Sequence, residues 1–163
     1  MFLSVKHIEA SGVRVERQLR PQPLTAADGR VIPFEPALLT GQVSRRRGGF
    51  RLQGALTTAG TVECARCLEP FRLPLEARFD LFYAAAEVGS GADPEAEEEA
   101  ETFAPVVDEQ IDLTALVAEQ IYLNLPLKPL CGAGCRGLCP SCGVNLNLAA
   151  CRCGSGAGEA LPR

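Results

Sequence analysis

Thiols are the residues of this chain whose type and spacing point to chemistry. All eight cysteines of the 163 residues fall in short-spaced clusters. One pair is Cys64-Ala65-Arg66-Cys67. The other six occupy Cys131-x3-Cys135-x3-Cys139-Pro140-Ser141-Cys142-x8-Cys151-Arg152-Cys153. Two residues between cysteines let the backbone turn tightly enough for both sulfurs to reach one ion at about 2.3 Å. Pro140 fixes φ on entry to the second knuckle, and Gly143 lets the backbone fold beneath the metal. Eight thiolates divide into two tetrahedral four-cysteine sites, the ligand set of structural Zn2+.

Local ligands close smaller loops and cost less chain entropy. That favours Cys139, Cys142, Cys151 and Cys153 as one site, and Cys64, Cys67, Cys131 and Cys135 as the other. An interleaved pairing of Cys64 and Cys67 with Cys139 and Cys142 stays open. Four thiolates leave no coordination position for water, so such sites are structural. Each contributes on the order of 10 kcal/mol of folding free energy when assembled. Four thiolates also suit an iron–sulfur cluster, but the spacing and a reducing compartment favour zinc. A thioredoxin-like use of Cys64 and Cys67 would need a βαβ setting, which this region lacks.

Other catalytic signatures are missing. There is no Walker loop, nucleophile elbow or H-E-x-x-H pattern. The single histidine, His7, reads as a surface residue. No enzyme and no small-molecule substrate is expected. Arg45, Arg46 and Arg47 stand together at a turn; Arg66 lies in the first knuckle, and Arg136 and Arg152 in the second cysteine cluster. Taken singly, each is a solvated charge. Taken together, they form a candidate phosphate footprint for RNA. Few aromatics lie near them, so contact would be to backbone or shape.

The elements that must position these groups are legible from periodicity. Val13, Val15 and Leu19 share one parity. Leu39, Gly41 and Val43 alternate with polar residues, as do Phe50, Leu52, Gly54 and Leu56. Phe71, Leu73, Leu75, Ala77, Phe79 and Leu81 form the longest run. A period of two marks half-buried strands. Pro74 lacks an N–H and suggests an edge or bulge. Arg46-Arg47-Gly48-Gly49 suits a hairpin turn, and Glu63 to Pro70 would carry the first knuckle at a second hairpin tip. Asp112 can cap a helix bearing Leu113, Leu116, Val117, Gln120, Ile121 and Asn124 on one side, which Pro126 ends. The expected class is mainly β with α (α+β): an antiparallel meander or partly closed barrel, one helix, and a C-terminal cysteine-rich zinc module.

The expected segmentation is a β domain over 1–83, an acidic disordered linker over 84–104, helix plus zinc module over 105–153, and a flexible tail over 154–163. Seven acidic residues between Glu87 and Glu101, with no Lys or Arg, read as a self-repelling loop. Formal net charge is −4, so no global basic field captures nucleic acid. No run of about 18 apolar residues occurs, so no membrane span is expected. The first ten residues lack a signal-peptide core. The chain reads as cytoplasmic.

Three stretches resemble the YceD family, the large ribosomal RNA subunit accumulation proteins. They are Glu63 to Phe71, Ile111 to Leu113 with Gln120 to Cys131, and Gly137 to Asn147 with Cys151 to Cys153. The resemblance covers roughly Glu63 to Cys153. It implies a non-catalytic role in 23S ribosomal RNA accumulation and large-subunit biogenesis, with ribosomal RNA and/or a large-subunit ribosomal protein as partner. The long acidic linker departs from the family pattern. A second class stays open: a redox- or zinc-responsive thiol regulator.

Overall fold

The computed structural model describes residues 1–26, 29–85 and 103–153, with 103–105 described in backbone only. Most of the expected acidic linker, and the whole expected tail, lie outside the described residues. Nine strands and one helix occur among the described residues: β1 Phe2–Ser4, β2 Val13–Leu19, β3 Leu24–Thr25, β4 Val31–Ile32, β5 Ala37–Arg46, β6 Gly49–Glu63, β7 Pro70–Ala84, β8 Phe103–Pro105, β9 Gln110–Asp112 and α1 Leu113–Asn124.

The chain forms two compact units. One comprises residues 1–60 and 74–125; the other, residues 61–73 and 126–163. Compactness thus groups the helix with the sheet, whereas the linear segmentation placed it with the cysteine-rich module.

The first unit is built on a sheet of order β2-β5-β6-β7-β8. Its order has two ends, so the sheet is open rather than a closed barrel. β2 runs antiparallel to β5, with Val15 opposite Gly41. β5 runs antiparallel to β6, with Leu39 opposite Leu56 and Val43 opposite Leu52. Arg47 and Gly48 make the turn between them, and Gly48 takes a φ of 81°, which costs glycine little. β6 and β7 are sheet neighbours joined by only six residues. A parallel pair would need a crossover of a dozen or more, so this connection is a hairpin.

β8 adds in parallel to Phe82–Ala84 alone. Around Pro74, β7 therefore has β6 as its one strand neighbour among the described residues, an edge position of the kind that tolerates proline. Small antiparallel pairs β1–β9 and β3–β4 complete the strands.

The alternation follows burial. Leu39, Val43, Leu52, Leu56, Leu75, Ala77 and Phe79 all enter one apolar cluster. Leu113, Leu116, Val117 and Ile121 of α1 share it, at helical spacing. Asp112 has an extended backbone, and its Oδ1 accepts from the Thr114 N–H at 2.8 Å. This satisfies a donor that the first helical turn otherwise leaves open. The helix stops at Leu125, whose backbone is extended ahead of Pro126. His7 is exposed.

Candidate metal centres

Both cysteine clusters lie in the second unit. Cys64 and Cys67 sit at the tip between β6 and β7, and the turn that holds them is defined by hydrogen bonds. The Leu68 N–H donates to the Cys64 carbonyl at 2.9 Å, and the Cys64 N–H donates to the Glu69 carbonyl at 2.9 Å. The second knuckle repeats this frame. Gly143 N–H donates to the Cys139 carbonyl at 2.9 Å, and Cys139 N–H to the Val144 carbonyl at 2.9 Å. The residue after each second cysteine is left-handed: Leu68 has φ 61° and Gly143 φ 72°. Glycine accepts that conformation freely, whereas leucine is strained by its Cβ. The first knuckle therefore lacks a glycine where its geometry calls for one.

The segment after α1 supplies the remaining ligand candidates of the first set. Ala65 N–H donates to the Pro129 carbonyl at 2.8 Å, bringing Cys131 and Cys135 to the hairpin tip. The Cys64–Cys135 and Cys67–Cys131 sulfur distances are both 3.8 Å. A tetrahedron of sulfurs about 2.3 Å from zinc has edges of about 3.8 Å, and these two edges match it. In the second set, Cys139, Cys142, Cys151 and Cys153 converge. The Cys139–Cys151 distance is 3.1 Å and the Cys142–Cys151 distance 3.6 Å, so an ion would spread these sulfurs slightly. Within each set the sulfurs lie within 4.8 Å of one another, and each set can hold a metal ion. This is the partition favoured by loop closure, not the interleaved one.

Electrostatics supports the same reading. Burial pushes the Cys64 thiol up, but N–H groups of Cys131, Cys67 and Arg66 outweigh it and bring its pKa down to about 6. Cys139 also falls to about 6, through the Cys151 sulfur and then the N–H groups of Cys142 and Ser141. The later protons in each set are held hard. The sulfurs of Cys135 and Cys64 push Cys131 up to about 12, and those of Cys142 and Cys151 do the same to Cys153. Each set thus combines thiols that ionise readily, Cys64 and Cys135 in the first and Cys139 in the second, with others that resist further negative charge. A divalent cation removes that conflict.

The sets differ in exposure. Cys64 and Cys67 are 0% and 4% exposed and Cys135 is 8%, with Cys131 at the surface. In the second set only Cys139 is buried; Cys142 and Cys153 are exposed and Cys151 is intermediate.

Two asparagines that sequence reasoning passed over link the clusters. Asn147 Nδ2 donates to the Cys135 sulfur at 3.4 Å and to Asn145 Oδ1 at 2.8 Å. Asn147 Oδ1 accepts from the Arg136 N–H at 2.7 Å. Asn145 Nδ2 approaches Glu69 Oε1 at 3.4 Å. The strip following Cys142 therefore supplies a hydrogen-bond donor to a sulfur of the other set. The only sequence signal was asparagine at alternate positions beside a knuckle.

The six arginine candidates are all exposed, and they divide between the units. In the first unit, Arg45 lies 5.4 Å from the Phe50 ring centroid, a cation–π contact. Arg46 donates to the Arg45 and Ala10 carbonyls at 3.2 and 3.4 Å, and Arg47 also has a partner. In the second, Arg66 donates to the Cys135 carbonyl at 3.0 Å, bracing the first set. Arg136 contributes its backbone N–H to Asn147, and Arg152 lies between two cysteines of the second set. No described helix is long and apolar enough to cross a membrane.

The comparisons with known proteins agree with the motifs. A chloroplastic protein of Zea mays, named large ribosomal RNA subunit accumulation protein YCED homolog 1, is 29% identical over 145 residues. These span 74% of this chain and 50% of the relative. Its namesake in Arabidopsis thaliana is 27% identical, covering 93% of this chain and 51% of the relative. An uncharacterized protein of Mycobacterium tuberculosis (strain ATCC 25618 / H37Rv) is 38% identical over 98 residues, 60% of this chain and 45% of the relative. The chain spans about half the length of these relatives. No solved structure matches. The family described as large ribosomal RNA subunit accumulation protein YceD matches residues 52–160, taking in both cysteine clusters, and the chain belongs to that family.

Proposed function

We propose that this protein is a non-catalytic, zinc-stabilised cytoplasmic factor. It supports accumulation of 23S ribosomal RNA and assembly of the large ribosomal subunit, by binding ribosomal RNA and/or a large-subunit ribosomal protein. The observation that carries the reading is the pair of closed four-thiolate sets in a member of the YceD family. Zinc bound there would cross-link the chain, and four sulfurs around it leave no site for a reacting water. The protein's own residues supply the rest. N–H groups hold the first thiolate of each set, and Asn147 and Arg66 brace Cys135.

The test has two arms. Purified protein should contain two zinc ions per chain by elemental analysis. Crosslinking in cells should recover large-subunit ribosomal RNA or a large-subunit ribosomal protein, and depletion should lower 23S RNA relative to the small-subunit RNA. Recovery of neither partner, with 23S RNA unchanged, overturns the proposal.

The exposed sulfurs of Cys142 and Cys153 favour a second reading, a redox- or zinc-responsive regulator. Reversible oxidation with metal release, altering RNA association, would select it.

A further inference from the structure

The solvent face of the first unit's sheet carries a groove unrelated to the cysteines. Arg14 stands opposite Gln42, and Gln42 opposite Gln53, in one cross-strand row over β2, β5 and β6. Arg78 of the neighbouring strand β7 lines the same shallow cavity, of about 810 Å³. Thr40 and Ala55, paired across β5 and β6, line it beside Gly41 and Gly54. Gly41 faces Gly54 across the β5–β6 ladder, and a Cβ on either would collide with a carbonyl of the opposite strand. The two strands therefore approach more closely here than side chains permit.

The charges on this face are unevenly committed. Arg51 is fully engaged: its Nε and Nη2 donate to Asp80 at 2.8 and 2.6 Å, and Gln53 Nε2 joins the same carboxylate at 2.8 Å. Arg14 and Arg78 have no partner among the described residues. Glu16 and Glu76 lie two positions along their strands and remain the local opposing charges. The groove's amides are also polarised in their use. Gln42 Nε2 donates to the Ser11 carbonyl at 3.0 Å and Gln53 Nε2 to Asp80, while neither amide oxygen accepts a bond among the described residues. The surface thus offers two free guanidinium groups and two free acceptors.

A ligand that uses all four must carry anionic oxygens and O–H or N–H donors together. Strands β2 and β7 are three spacings apart, about 14 Å, wider than one phosphate. We propose that this groove seats the phosphate–ribose backbone of an RNA strand. Arg14 and Arg78 hold separate phosphates, and the oxygens of Gln42 and Gln53 accept from 2′-hydroxyls, the group by which protein distinguishes RNA from DNA. No aromatic lines the groove, so bases are not stacked and sequence is not read. This inference rests on the RNA arm of the proposed function and gives it a place on the fold.

The experiment uses full-length, zinc-loaded protein and a labelled, unstructured RNA oligonucleotide, with anisotropy measured across a salt series. Arg14→Glu/Arg78→Glu should weaken binding more than tenfold. It should flatten the slope of log K against log salt by about 1.4, for two single-strand phosphate contacts at roughly 0.7 each. DNA of the same sequence and a polyphosphate of equal charge should bind more weakly than RNA. Arg17→Glu/Arg20→Glu is the matched control outside the groove and should change binding far less. Circular dichroism and zinc content verify folding, and Arg14→Gln/Arg78→Gln replaces the first variant should it not fold. If wild type binds RNA and the groove variant binds it equally, or the control loses as much, the groove assignment falls while the proposed function stands. If wild type binds no RNA, the groove and the RNA arm fall together, and the ribosomal-protein partner remains. Binding of an acidic protein but not RNA would likewise overturn the groove's assignment to RNA.

Discussion

Asn147 gives the sharpest test of the metal centres, because it belongs by position to the second cluster and by hydrogen bonding to the first. Burial raises the Cys135 thiol, but the Gly137 N–H, the Asn147 amide and the Cys131 and Cys67 sulfurs together outweigh it and lower its pKa. Asn147→Asp keeps the acceptor for the Arg136 N–H, removes the N–H aimed at sulfur, and places a carboxylate beside it. Loss of such an outer partner costs about 10–100-fold in metal affinity. Competition of a chromophoric chelator for cobalt or zinc, with the two sites resolved, reads the effect. The first site should weaken by that factor, and the second, whose sulfurs Asn147 does not touch, should hold its affinity. Unchanged first-site affinity, or equal weakening of both, would refute the role assigned to this asparagine.

Leu68→Gly should stabilise the first knuckle by about 1 kcal/mol, since Leu68 sits at φ 61° and is 54% exposed; a lower midpoint in chemical denaturation would contradict the strain argument. Cys142→Ser should remove one metal ion per chain and loosen the second cluster while the sheet's circular dichroism persists, and elemental analysis showing unchanged metal would sink the assignment. Graded chelation should empty the second set before the first, because three of its four sulfurs are at least partly exposed; simultaneous loss would show that exposure does not control release. Asp112→Ala should cost about 1 kcal/mol as a lost helix cap. Burial raises the Asp112 carboxyl, but the Thr114 and Ala115 N–H groups outweigh it and lower the pKa. The wild-type advantage should therefore be complete above the ordinary carboxylate range and vanish as pH falls through the lowered value, and an advantage that grew in acid would reverse this sign.

Much of the fold is legible because one face of each long strand is buried. Leu75, Ala77 and Phe79 must all point inward, and a one-residue slip would expose every one of them. Asp112 announces α1 by chemistry that acts within three residues, and the partition of cysteines follows from the number of residues each loop must close. What escapes is either short or tertiary. The pairs β1–β9 and β3–β4 are too brief for a period to show, and Phe2 meets Asp112 across most of the sheet unit's chain. β8 begins inside the stretch that composition assigned to the linker. Leu68 conceals a left-handed turn because its type argues against one. Asn145 and Asn147 matter only through where the fold carries them.

The first cluster is assembled from residues far apart in the chain, Cys67 and Cys131 being 64 positions apart. During translation at about 5–20 residues per second, Cys64 and Cys67 therefore wait several seconds for their counterparts, as a half-built clasp with two open thiols. The second cluster spans only fifteen residues and can close almost as soon as it emerges. Biosynthesis thus imposes a sequence of events: strands first, a vulnerable interval with open thiols next, and fastening last. Cells short of zinc or under oxidative stress would damage newborn chains of this protein more than mature ones.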